Sequence, residues 1–86
     1  MTNGRRVYVN VHGMLWLADG DYGRDARGRW YARPPGQHMG TLDGHDVIEH
    51  EDGTITVSPS ILIISERDDC AVLWHGYLER GVWRAA

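Results

Sequence analysis

A chain of 86 residues and 9.7 kDa has room for a single domain, residues 1–86, and its size excludes a two-domain enzyme or a deep enclosed cofactor chamber in a monomer. With 42% hydrophobic and 24% charged residues the composition is that of a folding chain rather than a disordered one. A net charge of −3 leaves no general basic field for phosphate backbones, and a single cysteine, Cys70, excludes an internal disulfide or a Cys-rich zinc site, so a cytoplasmic location is the expectation.

Taken in chain order, Val7, Val9 and Val11 alternate with Tyr8, Asn10 and His12, the period of a strand. Gly13 interrupts it, and Met14-Leu15-Trp16-Leu17 restarts as a second short apolar run. The Arg5-Arg6 pair before these runs only faintly imitates an export leader: Asn10 and His12 break the apolar stretch and no small-residue cleavage pattern follows. No stretch approaches the roughly 20 apolar residues of a spanning helix. Asp19 to Gly28, with three glycines and three aspartates, reads as a surface loop. Arg29-Trp30-Tyr31-Ala32-Arg33 reads as the next strand, stopped by Pro34-Pro35-Gly36.

The clearest local signal is a hairpin in which Val47-Ile48 and Ile55-Thr56-Val57 flank Glu51-Asp52-Gly53-Thr54, with Asp-Gly supplying the positive φ of a tight turn. Ser58-Pro59-Ser60 then separates it from Ile61-Leu62-Ile63-Ile64, expected to be a central strand buried on both faces. Glu66-Arg67-Asp68-Asp69 is a charged turn, and Val72 to Leu78 with Val82-Trp83-Arg84 forms a second hairpin about Glu79-Arg80-Gly81. No window holds a helical period. The expected fold is all-β and mostly antiparallel: a small roll, sandwich or partly open barrel of about seven short strands.

Three constellations carry possible chemistry. His45-x4-His50 and Cys70-x4-His75 offer metal-ligand types, yet a five-residue separation puts two side chains on opposite faces of a strand, so a zinc site at His45, His50, Cys70 and His75 requires turns to reorient them. Asp68 and Asp69 next to Cys70 disfavour its thiolate, so no activated nucleophile is expected and the chain is read as a non-enzyme. Arg24, Arg27, Arg29 and Arg33 interleave with Trp30 and Tyr31, the mixture of a single-strand nucleic-acid surface, but Asp19, Asp21 and Asp25 nearly cancel the charge. The same Arg-plus-aromatic mixture is enriched at protein interfaces. The leading expectation is therefore a protein-binding module without a cofactor, anchored by Arg29, Trp30, Tyr31 and Arg33, with Glu49, Glu51 and Asp52 as a second, acidic patch. Exposed strand edges on a small core also favour a homodimer.

From Gly53 to Trp83 the chain reads Gly53-Thr54-Ile55-Thr56-Val57-Ser58-Pro59-Ser60-Ile61, then Cys70, His75 and Tyr77, then Arg80-Gly81-Val82-Trp83. This resembles the C-terminal part of a family of small bacterial and phage proteins of unknown function. The resemblance covers about the last third and implies a β-rich accessory protein, phage or prophage encoded, that binds and modulates a host complex, for example as an anti-defence inhibitor. In that family a zinc site joins an upstream Cys cluster to the C-terminal Cys and His. No upstream cysteine exists here, which implies a site that is absent or rebuilt from histidine.

Overall fold

The computed structural model describes every residue except Asp68 and Cys70. Among the described residues there are nine strands: β1 (Thr2–Asn3), β2 (Arg5–Val7), β3 (Asp21–Arg24), β4 (Trp30–Ala32), β5 (Gly40–Thr41), β6 (Asp46–Glu49), β7 (Ile55–Ile64), β8 (Val72–Glu79) and β9 (Val82–Ala85). They form a five-stranded sheet of order β1-β9-β8-β7-β6 and a four-stranded sheet of order β2-β3-β4-β5. Every pairing is antiparallel except β2 with β3, which run parallel. The all-β, mostly antiparallel expectation holds, as an open sandwich with no closed barrel. Among the described residues no helix is long and apolar enough to cross a membrane.

The chain passes from one sheet to the other at Gly4, whose N–H donates to the Gly81 carbonyl at 2.7 Å. A Cβ there would lie 2.9 Å from the Gly20 and Gly81 carbonyl oxygens and from the Trp83 Nε1, so only glycine fits the crossing. Between the sheets Tyr22, Ala32 and Leu42 meet Ile55, Val57, Ile61, Leu78 and Trp83 in one apolar core. Trp83 fixes the stacking: its indole N–H donates to the buried Gly20 carbonyl at 2.8 Å, and its ring meets Trp74 edge-on at 5.6 Å.

Both expected hairpins form. Val47 pairs with Val57 and Ile48 with Thr56 around a turn in which Gly53 has φ +86° and Asp52 Oδ1 accepts from the Thr54 amide and hydroxyl. Leu78 pairs with Trp83 across the second turn.

Four expectations are corrected. The Val7–Val11 strand ends at Val7, and Val9 and Val11 are exposed. Asn10 is the cause: its side-chain Oδ1 accepts from the His12 and Met14 amides while its own N–H donates to the Met14 carbonyl, so a local turn replaces the ladder. Met14 to Leu17 accordingly lies outside any strand. Within the expected Asp19–Gly28 loop, Asp21–Arg24 is a strand whose first three residues are buried. Its charge is tolerated because Asp21 accepts from the Ala18 amide at 2.9 Å and pairs with Arg5 at 2.9 Å. Ser58-Pro59-Ser60 is not a separator: it lies inside β7, with a cis Ser58–Pro59 peptide and a register shift between Val57 and Ile61. Finally, Ile61–Ile64 is buried on one face only, with Leu62 55% and Ile64 42% exposed. The expected Glu66–Asp69 turn falls partly outside the described residues.

Candidate interaction surface

Strand β4 decides how the Arg-aromatic cluster is used. Side chains alternate along a strand, so Trp30 and Ala32 share one face and Tyr31 takes the other. Trp30 and Tyr31 therefore do not form one stacking platform.

On the inner side the half-buried Trp30 ring packs on the core and lies 4.9 Å from the Arg6 guanidinium and 5.2 Å from that of Arg24. Arg6 also covers Tyr8 at 4.4 Å. Its Nη1 donates to Glu49 Oε2 at 2.6 Å and to the Gly53 carbonyl at 3.0 Å, tying β2 to the β6–β7 hairpin of the other sheet. The Arg6 side chain is only 9% exposed. Arg24 reaches the second oxygen of Glu49 at 3.9 Å. The hydrogen bond from Arg6 holds the Glu49 carboxyl below the usual carboxylate range. Trp30 and Glu49, expected as members of two patches, thus meet through two arginines in one cross-sheet clamp.

The remaining expected anchors divide between structure and surface. Arg33 donates from Nε to the Gln37 carbonyl at 2.9 Å and from Nη1 to the Leu17 carbonyl at 3.2 Å, tying the loop before β3 to the loop after β4 at one end of the small sheet. Arg29 is exposed, with Nε 3.5 Å from Asp43 Oδ2. Arg27 and Arg29 lend their amides to Asp25 Oδ1, each at 2.9 Å, and these bonds hold the Asp25 carboxyl low. Glu51 is exposed beside Asp52, whose pKa is lowered by the Thr54 hydroxyl and amide.

On the outer face Tyr31 joins residues that the sequence reading did not single out. The segment after the Asn10 turn lies over this face, with Leu15 against Gly23. A cleft of about 270 Å³ is lined by Met14, Leu15, Trp16, Asp25, Tyr31 and Met39. Trp16 is 70% exposed, and Met14 and Met39 are each 48% exposed. The apolar run Met14-Leu15-Trp16-Leu17 was visible in the sequence, but nothing within it told which of its side chains face solvent. Met39, alone between His38 and Gly40, gave no signal.

The histidines do make specific contacts. His45 Nε2 lies 3.2 Å from the Ser60 carbonyl oxygen, and His75 Nε2 lies 2.8 Å from the Ser60 hydroxyl, so these two converge on one residue. His50 stands apart, 2.7 Å from the Thr56 hydroxyl. Among the described residues no group of three or more His, Cys, Asp or Glu side chains is arranged to hold a metal ion. Cys70, the fourth expected ligand, lies outside the described residues. Compared with family models, curated proteins and solved structures, the chain matches none.

Proposed function

We propose that the protein works by binding another protein through the outer face of its small sheet, with Trp16 as the central anchor and Tyr31, Met14 and Met39 around it. The observation that carries this reading is the exposed Trp16 beside the 270 Å³ cleft. An indole left in water forfeits the burial free energy that its large ring supplies, and Trp and Tyr dominate the energetics of protein interfaces. Met14 and Met39, lining the same cleft, supply an unbranched, polarizable surface that adapts to a partner's shape. Asp25, Arg27 and Arg29 stand nearby as polar groups of both signs, giving an apolar centre with a charged rim. The ligand class is a protein segment that offers an apolar side chain to the cleft. Arg29 and Tyr31 belong to this surface, whereas Trp30, Arg33 and Glu49 hold its scaffold.

A photoreactive p-benzoylphenylalanine placed at position 16, and in parallel at the exposed Ile48 on the other sheet, tests this in cells that express the protein. A discrete protein adduct from position 16 alone, whose partner loses affinity for a folded Trp16→Ala variant, is the expected result. Equal adducts from both positions, or a partner that binds Trp16→Ala as well as it binds the wild type, would overturn the reading.

A further inference from the structure

The five-stranded sheet has an unfinished edge. Strand β6 pairs with β7 only between Asp46↔Ser58 and Glu49↔Ile55, whereas β7 continues to Ile64. Beyond Ser58, no described strand adjoins that side of β7. The direction of the backbone groups follows from the ladders. The His50 amide donates to the Thr54 carbonyl, so even-numbered residues of β7 face the β6 side. The Ser60 carbonyl, reached by His45 within the first register shift, and the odd-numbered Ser65, whose amide donates to Ala71 on the β8 side past the second shift at Ile63/Ile64, keep that parity. Leu62 and Ile64 therefore aim their N–H and C=O groups at the open edge.

Apart from a register shift against β8 between Ile63 and Ile64, the open stretch carries none of the usual protections of an edge among the described residues. Residues 55–64 contain no charged side chain, and the one proline, Pro59, precedes the open stretch. Leu62 and Ile64 are exposed, and a cleft of about 260 Å³ between Ile61–Ile64 and Gly40–Thr41 of β5 lies beside the edge.

We propose that this edge pairs with the same edge of a second copy of the chain, antiparallel, about a twofold axis at Ile63. Antiparallel edge pairing is self-complementary: each copy supplies the groups that the other lacks. Parity allows only even residues opposite even residues. An axis at Leu62 would claim the Ser60 carbonyl that His45 already occupies, and an axis at Ile64 would draw in Glu66, which lies in the turn. The axis at Ile63 sets Leu62 opposite Ile64 of the second copy and forms four N–H···O=C bonds, with the two Ile63 side chains meeting on the cleft side. The strand is neutral in a chain of net charge −3, so pairing brings no like charges face to face. So short a contact buries less than the ~1,000 Å² of an unambiguous interface, which makes the dimer weak and reversible. This inference is independent of the Trp16 surface.

Sedimentation equilibrium from about 1 µM to about 1 mM brackets such an affinity. A monomer that converts to a dimer across the range is expected. Ile64→Pro removes an outward N–H without touching the β8 ladder, and Leu62→Lys places a charge on the edge; each is expected to weaken the dimer at least about tenfold. Leu73→Lys, an equivalent change on β8 away from the edge, leaves it intact. Should Ile64→Pro fail to fold by circular dichroism, the exposed Leu62→Lys site carries the test. In a Cys70→Ser background, Ile63→Cys is expected to cross-link the dimer, because a pair that does not exchange hydrogen bonds brings its Cβ atoms within disulfide reach. A chain that stays monomeric at about 1 mM, or a dimer that both edge variants leave unchanged or that Leu73→Lys dissolves, would overturn the proposal.

Discussion

Replacing Arg6 by alanine should cost the domain about 3 kcal/mol, an unusually large loss for a residue in a three-residue strand near the start of the chain. The magnitude follows from what the side chain touches. Removing its Nη1 leaves the carbonyl of buried Gly53 without that donor at 3.0 Å, a loss of about 1–2 kcal/mol. The two ring contacts, Tyr8 at 4.4 Å and Trp30 at 4.9 Å, contribute about 0.5–1 kcal/mol each. The aliphatic stem, in a side chain only 9% exposed, leaves a gap between the sheets. The ion pair with Glu49 adds little, since that carboxylate is 37% exposed and can return to water. Against these losses stands the Arg6 Nε, buried without a hydrogen-bond partner among the described residues, which lowers the net worth of the arginine and keeps the expected figure at ~3 rather than ~4 kcal/mol. A domain of this length holds roughly 4–13 kcal/mol in total, so urea denaturation should show a clearly lower midpoint with an unchanged slope. A loss below about 1 kcal/mol would refute the clamp, and a Trp30→Ala double-mutant cycle would show no coupling.

Two further perturbations test the core and its charges. Trp83→Phe removes the indole donor to Gly20 and shrinks the ring against Trp74; the Arg5 amide, 3.4 Å from the same carbonyl, softens the loss, so about 2 kcal/mol is expected by the same denaturation, and less than about 0.5 kcal/mol would contradict the stacking role. Asp25, Glu49 and Asp52 all have carboxyls lowered in the folded state, by the Arg29 amide, Arg6 and Thr54 respectively. Their contribution is present above the unfolded carboxylate values of about 4 and disappears as pH falls through the lower folded values, so thermal midpoints should be flat from neutral pH to about 5 and drop below about 4. A decline already complete by about pH 5 would refute the assignment to these three carboxylates.

What the sequence revealed was local. The Asp52-Gly53 and Arg80-Gly81 turns carry their own geometry, so both hairpins were legible, and with them the fold class. Asn10 was not, because its side chain competes with the strand only once the chain can fold back on Met14. The parallel β2–β3 pairing and the Gly4 crossing depend on Gly20, Gly81 and Trp83, which no window around residue 4 contains. The site shows the same limit. Arg29 to Arg33 stood out as a cluster, but alternation sends Trp30 and Tyr31 to opposite faces. Arg6 contacts Glu49 and Gly53 across 43 and 47 residues of chain, so its role had no local signal.

The distribution of the four indoles separates stability from binding. The chain has no phenylalanine, and its interior relies on tryptophan: Trp83 is buried with its N–H bonded, Trp74 packs edge-on against it, and Trp30 is held between the core and two arginines. Trp16 alone is largely in water. Substitution at Trp16 should therefore change stability by no more than about 0.5 kcal/mol, because little burial is lost, while Trp83 and Arg6 changes cost several times that. Thermal midpoints of Trp16→Ala and the wild type within about 3 °C of each other are the expected reading. A large destabilisation would mean that Trp16 packs on the domain as Trp83 does, and the outer face of the small sheet would lose its claim as a binding surface.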